Sequence, residues 1–426
     1  MNLNYTQYNS DSIYQFGGED DTSEAIDFLK DPSNFRAFHQ GLSEIIKKKC
    51  LVPENATLCD MAEILYDRLT KIESSLSLET ITAWLTGEIC PNIEYRHRNQ
   101  IYEICFSLNL SLDETKWFFH HVYYDRAFNC HTINDSVYYF CFKNQLTYKD
   151  AIQIIEQIEK NPSYETSQIK TSNYTIFVQQ RLENIESIEE LISFLSQNKA
   201  NFISWNESAY NELKNIETHL LPTKNAKSEI EKIKRKIKSG HSAYSTIPKS
   251  KDQKEWGLVM NEILFDVPDE AFLDIIEGKN ICSGNFLLEQ ILGMKLKTEK
   301  GKKRFIDEED IPNIVKNNFP SRKTMSDVLS EDKVIQTKSY DSIRKMIILL
   351  YFYQFWGEIR ISNQDTESID TPLSDVFIEE MDDLLYSCGY ESIYAGNPYD
   401  WIFLCSAQAE DPLLYFRELI SYILVE

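Results

Sequence analysis

Apolar side chains recur every three to four positions along most of this chain, the spacing that gathers them on one face of an α-helix. Ser43 to Lys48 and Ala62 to Ile72 follow it, with Leu65, Leu69 and Ile72 on a common side. Ile101, Ile104, Cys105 and Leu108 form a second stripe, and Trp117, Phe118, Val122 and Tyr123 continue the packing after a polar break at Asn109 to Asp113. Between the first two stripes, Ser77 or Thr80 can cap a short helix, and Gly87 tolerates the backbone that ends one. The aromatic run from Val137 to Gln145 suits a strand or a helix; the helical spacing of the following Tyr148 to Lys160 favours helix.

Further along, Pro162 and its Ser and Thr neighbours mark a boundary over 161–176. From Val178, Leu182, Ile185, Ile188, Leu191, Ile192 and Leu195 predict one amphipathic helix, and Leu213, Ile216 and Leu220 predict another. The two can pair within the chain or serve a homo-oligomer, but the repeat is too short and broken for a sustained coiled coil. Gly389 and Gly396-Asn397-Pro398 should interrupt helices, whereas Asp411-Pro412 reads as a cap followed by proline at the first helical position. The polar first 25 residues, with Gly17-Gly18, read as a flexible lead or surface segment.

The fold class expected is therefore all-α and multidomain. Its parts are an amino-terminal lead and helix over 1–57, a helical domain over 58–160, central amphipathic helices over 177–240, a helical connector with a basic loop over 256–307, and a second helical domain over 308–426. The two large domains share a pattern. Setting Thr80 beside Thr324 brings Trp84-Leu85 opposite Val328-Leu329, and Tyr95 and Tyr340 then open the longer helices. A tyrosine-led segment, a polar turn and an aromatic helix follow in both, in Tyr123 to Phe140 and in Gly389 to Leu404.

The stretch from Ser77 to Ser111, with its Ser77-Leu-Glu-Thr-Ile-Thr-Ala-Trp-Leu-Thr-Gly87 core, resembles the phage-repressor-like helix-turn-helix superfamily. The resemblance covers roughly 55–120. It is weaker at the carboxyl end, where Ser330-Glu331-Asp332 replaces the glycine turn. It implies a compact bundle, units of this kind near both ends, and a regulatory protein of a bacterial chromosome or mobile element. On that reading Ser77, Glu79, Thr80, Thr82 and Ala83 lie on or near the recognition element, while Ile81, Trp84 and Leu85 face the core. Arg96, Arg98 and Gln100, with His97, would reach phosphates or base edges.

Charge changes that picture. The chain has 426 residues and a formal net charge of −23, which opposes general attraction to nucleic acid. The positive charge is concentrated centrally, with ten Lys or Arg against four acids between Lys224 and Glu255. Lys234, Arg235, Lys236 and Lys238, with Lys302, Lys303 and Arg304, form the basic interaction surface expected there. From Ile361 to Glu426, fourteen acids face only Arg417. Glu79, Glu88 and Glu94 would repel phosphate close to the recognition element, favouring a protein partner over DNA.

Hydrophobic residues make up 42% and aromatic ones 12%, enough to fold most of the chain. Nine scattered cysteines suggest reduced thiols rather than a secreted disulfide scaffold. With no leader pattern and no spanning apolar run, the expected location is cytoplasmic, away from membranes. His120-His121 with Cys130-His131 lacks zinc-ligand spacing, and Cys130 suits an apolar core. Nothing local brings Cys105 to His121. Asp382-Asp383 and Glu379-Glu380 read as solvated acids, and no phosphate-binding glycine motif occurs. No cofactor is expected. The leading reading is a bacterial regulatory or interaction protein that binds a protein partner stoichiometrically. Sequence-specific DNA binding is the first alternative, and a helical effector enzyme assembled only in the fold is the second.

Overall fold

The computed structural model describes residues 4–18, 22–161, 174–220, 297–299, 302–304, 340–362 and 371–425, except 32, 51, 54, 92–94, 129, 131 and 200, together with positions 235, 239 and 328. These residues fall into two units. One comprises 31–209 with 386–391; the other comprises 1–30, 210–385 and 392–426.

Helices α1 (Asn4–Gly17) and α2 (Ser23–Lys30) begin the chain, followed by α3 (Phe38–Cys50) and α4 (Leu58–Lys71). Next come α5 (Leu78–Thr86), α6 (Tyr95–Ser107), α7 (Leu112–Phe118) and a π-helical turn over Phe119–Tyr123. The series continues with α8 (Ile133–Lys143), α9 (Tyr148–Lys160), α10 (Tyr174–Asn184), α11 (Ile188–Gln197) and α12 (Asn201–Leu220). After a hairpin of β1 (Lys297–Glu299) and β2 (Lys302–Arg304) come α13 (Tyr340–Ser362), α14 (Leu373–Ser387), α15 (Pro398–Ser406) and α16 (Pro412–Val425). The class is all-α; the hairpin is the only strand pairing among the described residues. It pairs Lys297 with Arg304, so the described parts of this basic run, Lys297–Glu299 and Lys302–Arg304, are extended.

In the unit built on 31–209, α3, α4, α5 and α6 pack around Leu42, Ile46, Leu65, Trp84, Ile101 and Leu108. Side-chain caps set the register of this bundle. Thr57 and Asp60 form a reciprocal capping box on α4, as do Ser111 with Glu114 on α7 and Thr147 with Asp150 on α9. The aromatic run from Val137 to Lys143 is helical, because Val137, Tyr138, Phe140 and Cys141 all find buried partners in this core. The single helix expected from Val178 divides into α10 and α11. Ser187 caps the second by accepting from the Glu190 amide, a local bond that competes with helix continuation. Val178, Leu182, Leu191 and Leu195 join the same core, and α10 and α11 pack with α8 and α9.

The other unit corrects the reading of the first residues. Far from being a flexible lead, α1 and α2 pack on α15 and α16 and bury Ile13, Phe16, Ile26, Phe28 and Leu29. The Trp401 indole donates to Asn9 O at 3.2 Å and to Ser12 Oγ at 3.0 Å, and the Tyr415 hydroxyl donates to Phe16 O at 3.0 Å. Gly17 is a close-approach residue: a Cβ there would lie 2.5 Å from Cys405 O. Phe352, Phe377, Phe403 and Phe416 form the aromatic centre of this unit. Gly396-Asn397-Pro398 starts α15 instead of interrupting it, with Asn397 Oδ1 capping the Tyr399 and Asp400 amides. Gly389, at φ 78°, follows α14 as expected, and Asp411 Oδ1 caps the proline-led α16.

Candidate functional site

The element expected to read a partner is α5, which follows α4 across a short turn, and its geometry follows from a few local choices. After α4, Glu73 adopts φ 59°, and the Ser74 amide returns to Leu69 O at 3.1 Å, closing the helix. Ser74 Oγ also bonds Glu103 of α6. Leu76 is buried ahead of the Ser77 cap, whose oxygen accepts the Thr80 amide at 3.1 Å. Trp84 anchors α5 edge-on to Phe38, with ring centroids 5.8 Å apart, while Ile81 and Leu85 are fully buried. Gly87 ends the helix in the left-handed conformation, φ 78°, where a side chain would be strained. A Cβ there would also come within 2.9 Å of His39 Nδ1. The Ile89 amide then returns to Ala83 O at 3.2 Å.

The outward stripe of α5 runs through Leu78, Glu79, Thr82 and Thr86 and passes to Glu88 and Ile89. The hydroxyl hydrogens of Thr82 and Thr86 are committed within the element. Thr82 Oγ1 donates to Leu78 O at 2.8 Å, Thr86 Oγ1 donates to Ala83 O at 3.2 Å, and the Ser77 and Thr80 hydroxyls bond each other at 2.9 Å. The stripe thus presents methyl groups, oxygen lone pairs and carboxylates. Along α4, the turn and α5, the exposed acids Asp60, Glu63, Asp67, Glu73, Glu79 and Glu88 face one exposed base, Lys71. Arg68, the other base of this stretch, is partly covered and donates to Ser107 O at 3.3 Å.

Arg98 does not lie on this surface. Its guanidinium is enclosed between Asp125 and Asp135, with Nη2 3.0 Å from Asp135 Oδ2, 2.7 Å from Arg126 O and 3.2 Å from the Tyr102 hydroxyl. Burial disfavours its charge, but the two carboxylates outweigh that penalty and raise its pKa above the ordinary arginine value. Tyr102 and Phe119 lie 5.5 and 5.2 Å from the guanidinium carbon. The signal was present in the sequence: Arg98 falls one helical turn before Ile101 and Tyr102, on the buried face of α6. Asp135 was also legible as the third residue after the Thr132 cap, whereas Asp125 sits in an irregular turn with no comparable pattern.

The other expected contact residues separate as well. Thr80 and Thr82 are partly exposed on α5, Arg96 lies in the first turn of α6, and Gln100 is buried with its side-chain oxygen lacking a hydrogen-bond partner. Arg235 is an exposed helical residue; Lys234, Lys236 and Lys238 lie outside the described residues. Lys302, Lys303 and Arg304 form β2.

No cluster of three metal-ligating side chains occurs among the described residues. Cys130 and Cys105 are buried, and burial pushes both thiols far above their usual range, away from the thiolate needed by a nucleophile or zinc ligand. His121 stacks on Trp117, its Nδ1 3.1 Å from Trp117 O, while His131 lies outside the described residues. Glu379 and Asp383 are exposed, Asp382 accepts the Ile393 amide at 2.8 Å, and Glu380 accepts the Tyr351 hydroxyl at 2.7 Å, so these acids do not share one site. No helix among the described residues is long and apolar enough to cross a membrane.

No family model matches the chain, and no curated protein or solved structure shows significant similarity to it.

Proposed function

We propose that this is a regulatory or interaction protein that binds a protein partner stoichiometrically, using a helix-turn-helix-like scaffold no longer suited to DNA. One observation carries this reading: the exposed stripe of α5 has Glu79 and Glu88 but no lysine or arginine, in an element where DNA readers place phosphate-pairing and base-reading side chains. The burial of Arg98 removes one of the expected phosphate contacts from that task. Correspondence between the two ends supports a second, more divergent unit of the same origin. Tyr95 and Tyr340 open α6 and α13, and Arg98 and Arg344 pair with the third residue beyond a helix cap, Asp135 and Asp400.

The test is affinity purification of the full chain from its native host, with and without nuclease, followed by mass spectrometry and sequencing of recovered nucleic acid. A recurrent protein partner that survives nuclease is the expected result. Recurrent DNA fragments, lost on Thr82→Ala or Arg96→Ala substitution, would establish the DNA-binding alternative instead.

A further inference from the structure

We propose that the exposed stripe of α5 is the docking site for a basic amphipathic helix of a protein partner. This deepens the protein-binding reading and rests on it. Three features of the stripe specify the occupant.

The first is apolar area at both ends. Leu78 is 37% exposed and Ile89 is 56% exposed, although each is large enough to favour burial. Between them Thr82 and Thr86 expose methyl-bearing side chains while their hydroxyl hydrogens point back to Leu78 O and Ala83 O. Leu78, Thr82 and Thr86 recur every fourth residue, a line about 12 Å long at the helical rise. That length matches roughly two turns of a second helix crossing or lying along it, with apolar anchors at i, i+4 and i+7.

The second is hydrogen-bonding sense. Since the Thr82 and Thr86 hydrogens are committed internally, these residues offer only hydroxyl lone pairs outward, beside the Glu79 and Glu88 carboxylates. A complementary surface must donate. Lysine and arginine donate without accepting, whereas a phosphate backbone would set acceptor against acceptor and negative against negative.

The third is charge context. Asp60, Glu63 and Asp67 extend the negative sign along α4, with Lys71 the exposed base of the pair. Charges of one sign steer an oppositely charged partner and suppress wrong ones, and the apolar anchors provide the contact area. Acids alone would attract any cation. The apolar line is what selects a helix with one greasy face.

The test uses the folded full-length chain and a fluorescent helical peptide with leucines at i, i+4 and i+7 and lysines elsewhere. A scrambled peptide of identical composition controls for charge alone. In fluorescence anisotropy the patterned peptide should bind about tenfold more tightly than the scrambled one, and Glu79→Lys with Glu88→Lys should weaken it by a further factor of about ten. Glu156→Lys with Glu159→Lys, a charge reversal of equal size on α9, should change affinity less than about twofold. Leu78→Ala with Ile89→Ala should weaken the patterned peptide several-fold while leaving the scrambled one unaffected. Circular-dichroism melts establish that each variant is folded. Failure of the patterned peptide to bind, equal binding of the two peptides, or equal losses from the two charge reversals would overturn the proposal. If host purification still recovers a nuclease-insensitive partner that Glu79→Lys and Glu88→Lys leave unaffected, the docking site is wrong although protein binding stands.

Discussion

Among the described residues, Arg98 in one unit and Arg344 in the other are held in buried ion pairs, but the two pairs are built differently. Arg98 of α6 meets two carboxylates, Asp125 and Asp135, and lies over two aromatic rings. Arg344 of α13 pairs with Asp400 through two parallel bonds of 2.8 and 2.7 Å, Asp400 also accepts the Tyr394 amide at 3.1 Å, and the half-buried Asp382 feels the charge of Arg344. In both, the arginine reaches a loop carbonyl as well, Arg126 O in the first and Ser392 O in the second. A guanidinium with several donors can thus tie a long helix to both a loop and the start of an aromatic helix. The difference lies in what its loss leaves behind: two closely enclosed carboxylates, Asp125 and Asp135, in the first unit, and in the second the enclosed Asp400 beside the half-buried Asp382.

The largest expected effect follows from that difference. Arg98→Ala should destabilise its unit by about 3–5 kcal/mol, the range for breaking a buried pair, and by more than Arg344→Ala in parallel urea melts. Adding Asp125→Asn and Asp135→Asn to Arg98→Ala should recover part of the loss, because the remaining buried groups are then neutral. Equal losses for the two arginine variants, or no recovery from the asparagine substitutions, would break the comparison.

Next in size are the glycines that end α5 and α14. Gly87 and Gly389 both have φ 78°, and at Gly87 a Cβ would also press on the His39 side chain. Gly87→Ala should cost roughly 1–2 kcal/mol and Gly389→Ala about 1 kcal/mol, read as thermal melting shifts. The caps come next. Ser77→Ala on α5 and Asn397→Ala on α15 should each cost about 1 kcal/mol, with Asn397 the more damaging because its oxygen faces two amides rather than one.

The smallest effect is electrostatic. Burial raises the Glu114 pKa, but bonds from Lys49, the Ser111 amide and Lys48 outweigh it and bring the value to about 2. A carboxyl whose folded pKa is depressed stabilises the fold above its unfolded pKa and loses that contribution as pH falls. The wild type should therefore lose stability between roughly pH 5 and 2 with a steeper slope than Glu114→Gln. Identical slopes in acid titrations of the two would contradict the assignment.

The parts of this architecture legible in the sequence were local. Ser77 and Gly87 delimit α5, and Asp411-Pro412 opens α16, since capping and left-handed backbone are decided within a few residues. The placement of α1 and α2 was not legible, because the acceptors they supply, the Asn9 main-chain carbonyl and the Ser12 hydroxyl oxygen, meet their donor in Trp401, far along the chain. Arg98 was misleading for a related reason. A basic residue beside a helix-turn-helix-like pattern reads as a phosphate contact until Asp125 and Asp135 are brought to it by the fold. At the candidate site, Thr80 and Thr82 were rightly placed on α5, but no spacing rule tells that their hydroxyls bond within the element.

The most direct test of the claim that this scaffold has exchanged DNA for protein is a selection of sheared host DNA by the full-length chain across a salt series, with sequencing of what is retained. The account predicts no enriched sequence and no change in retention on Thr82→Ala. An enriched operator-like sequence, held with a steep salt dependence and lost on that substitution, would contradict it.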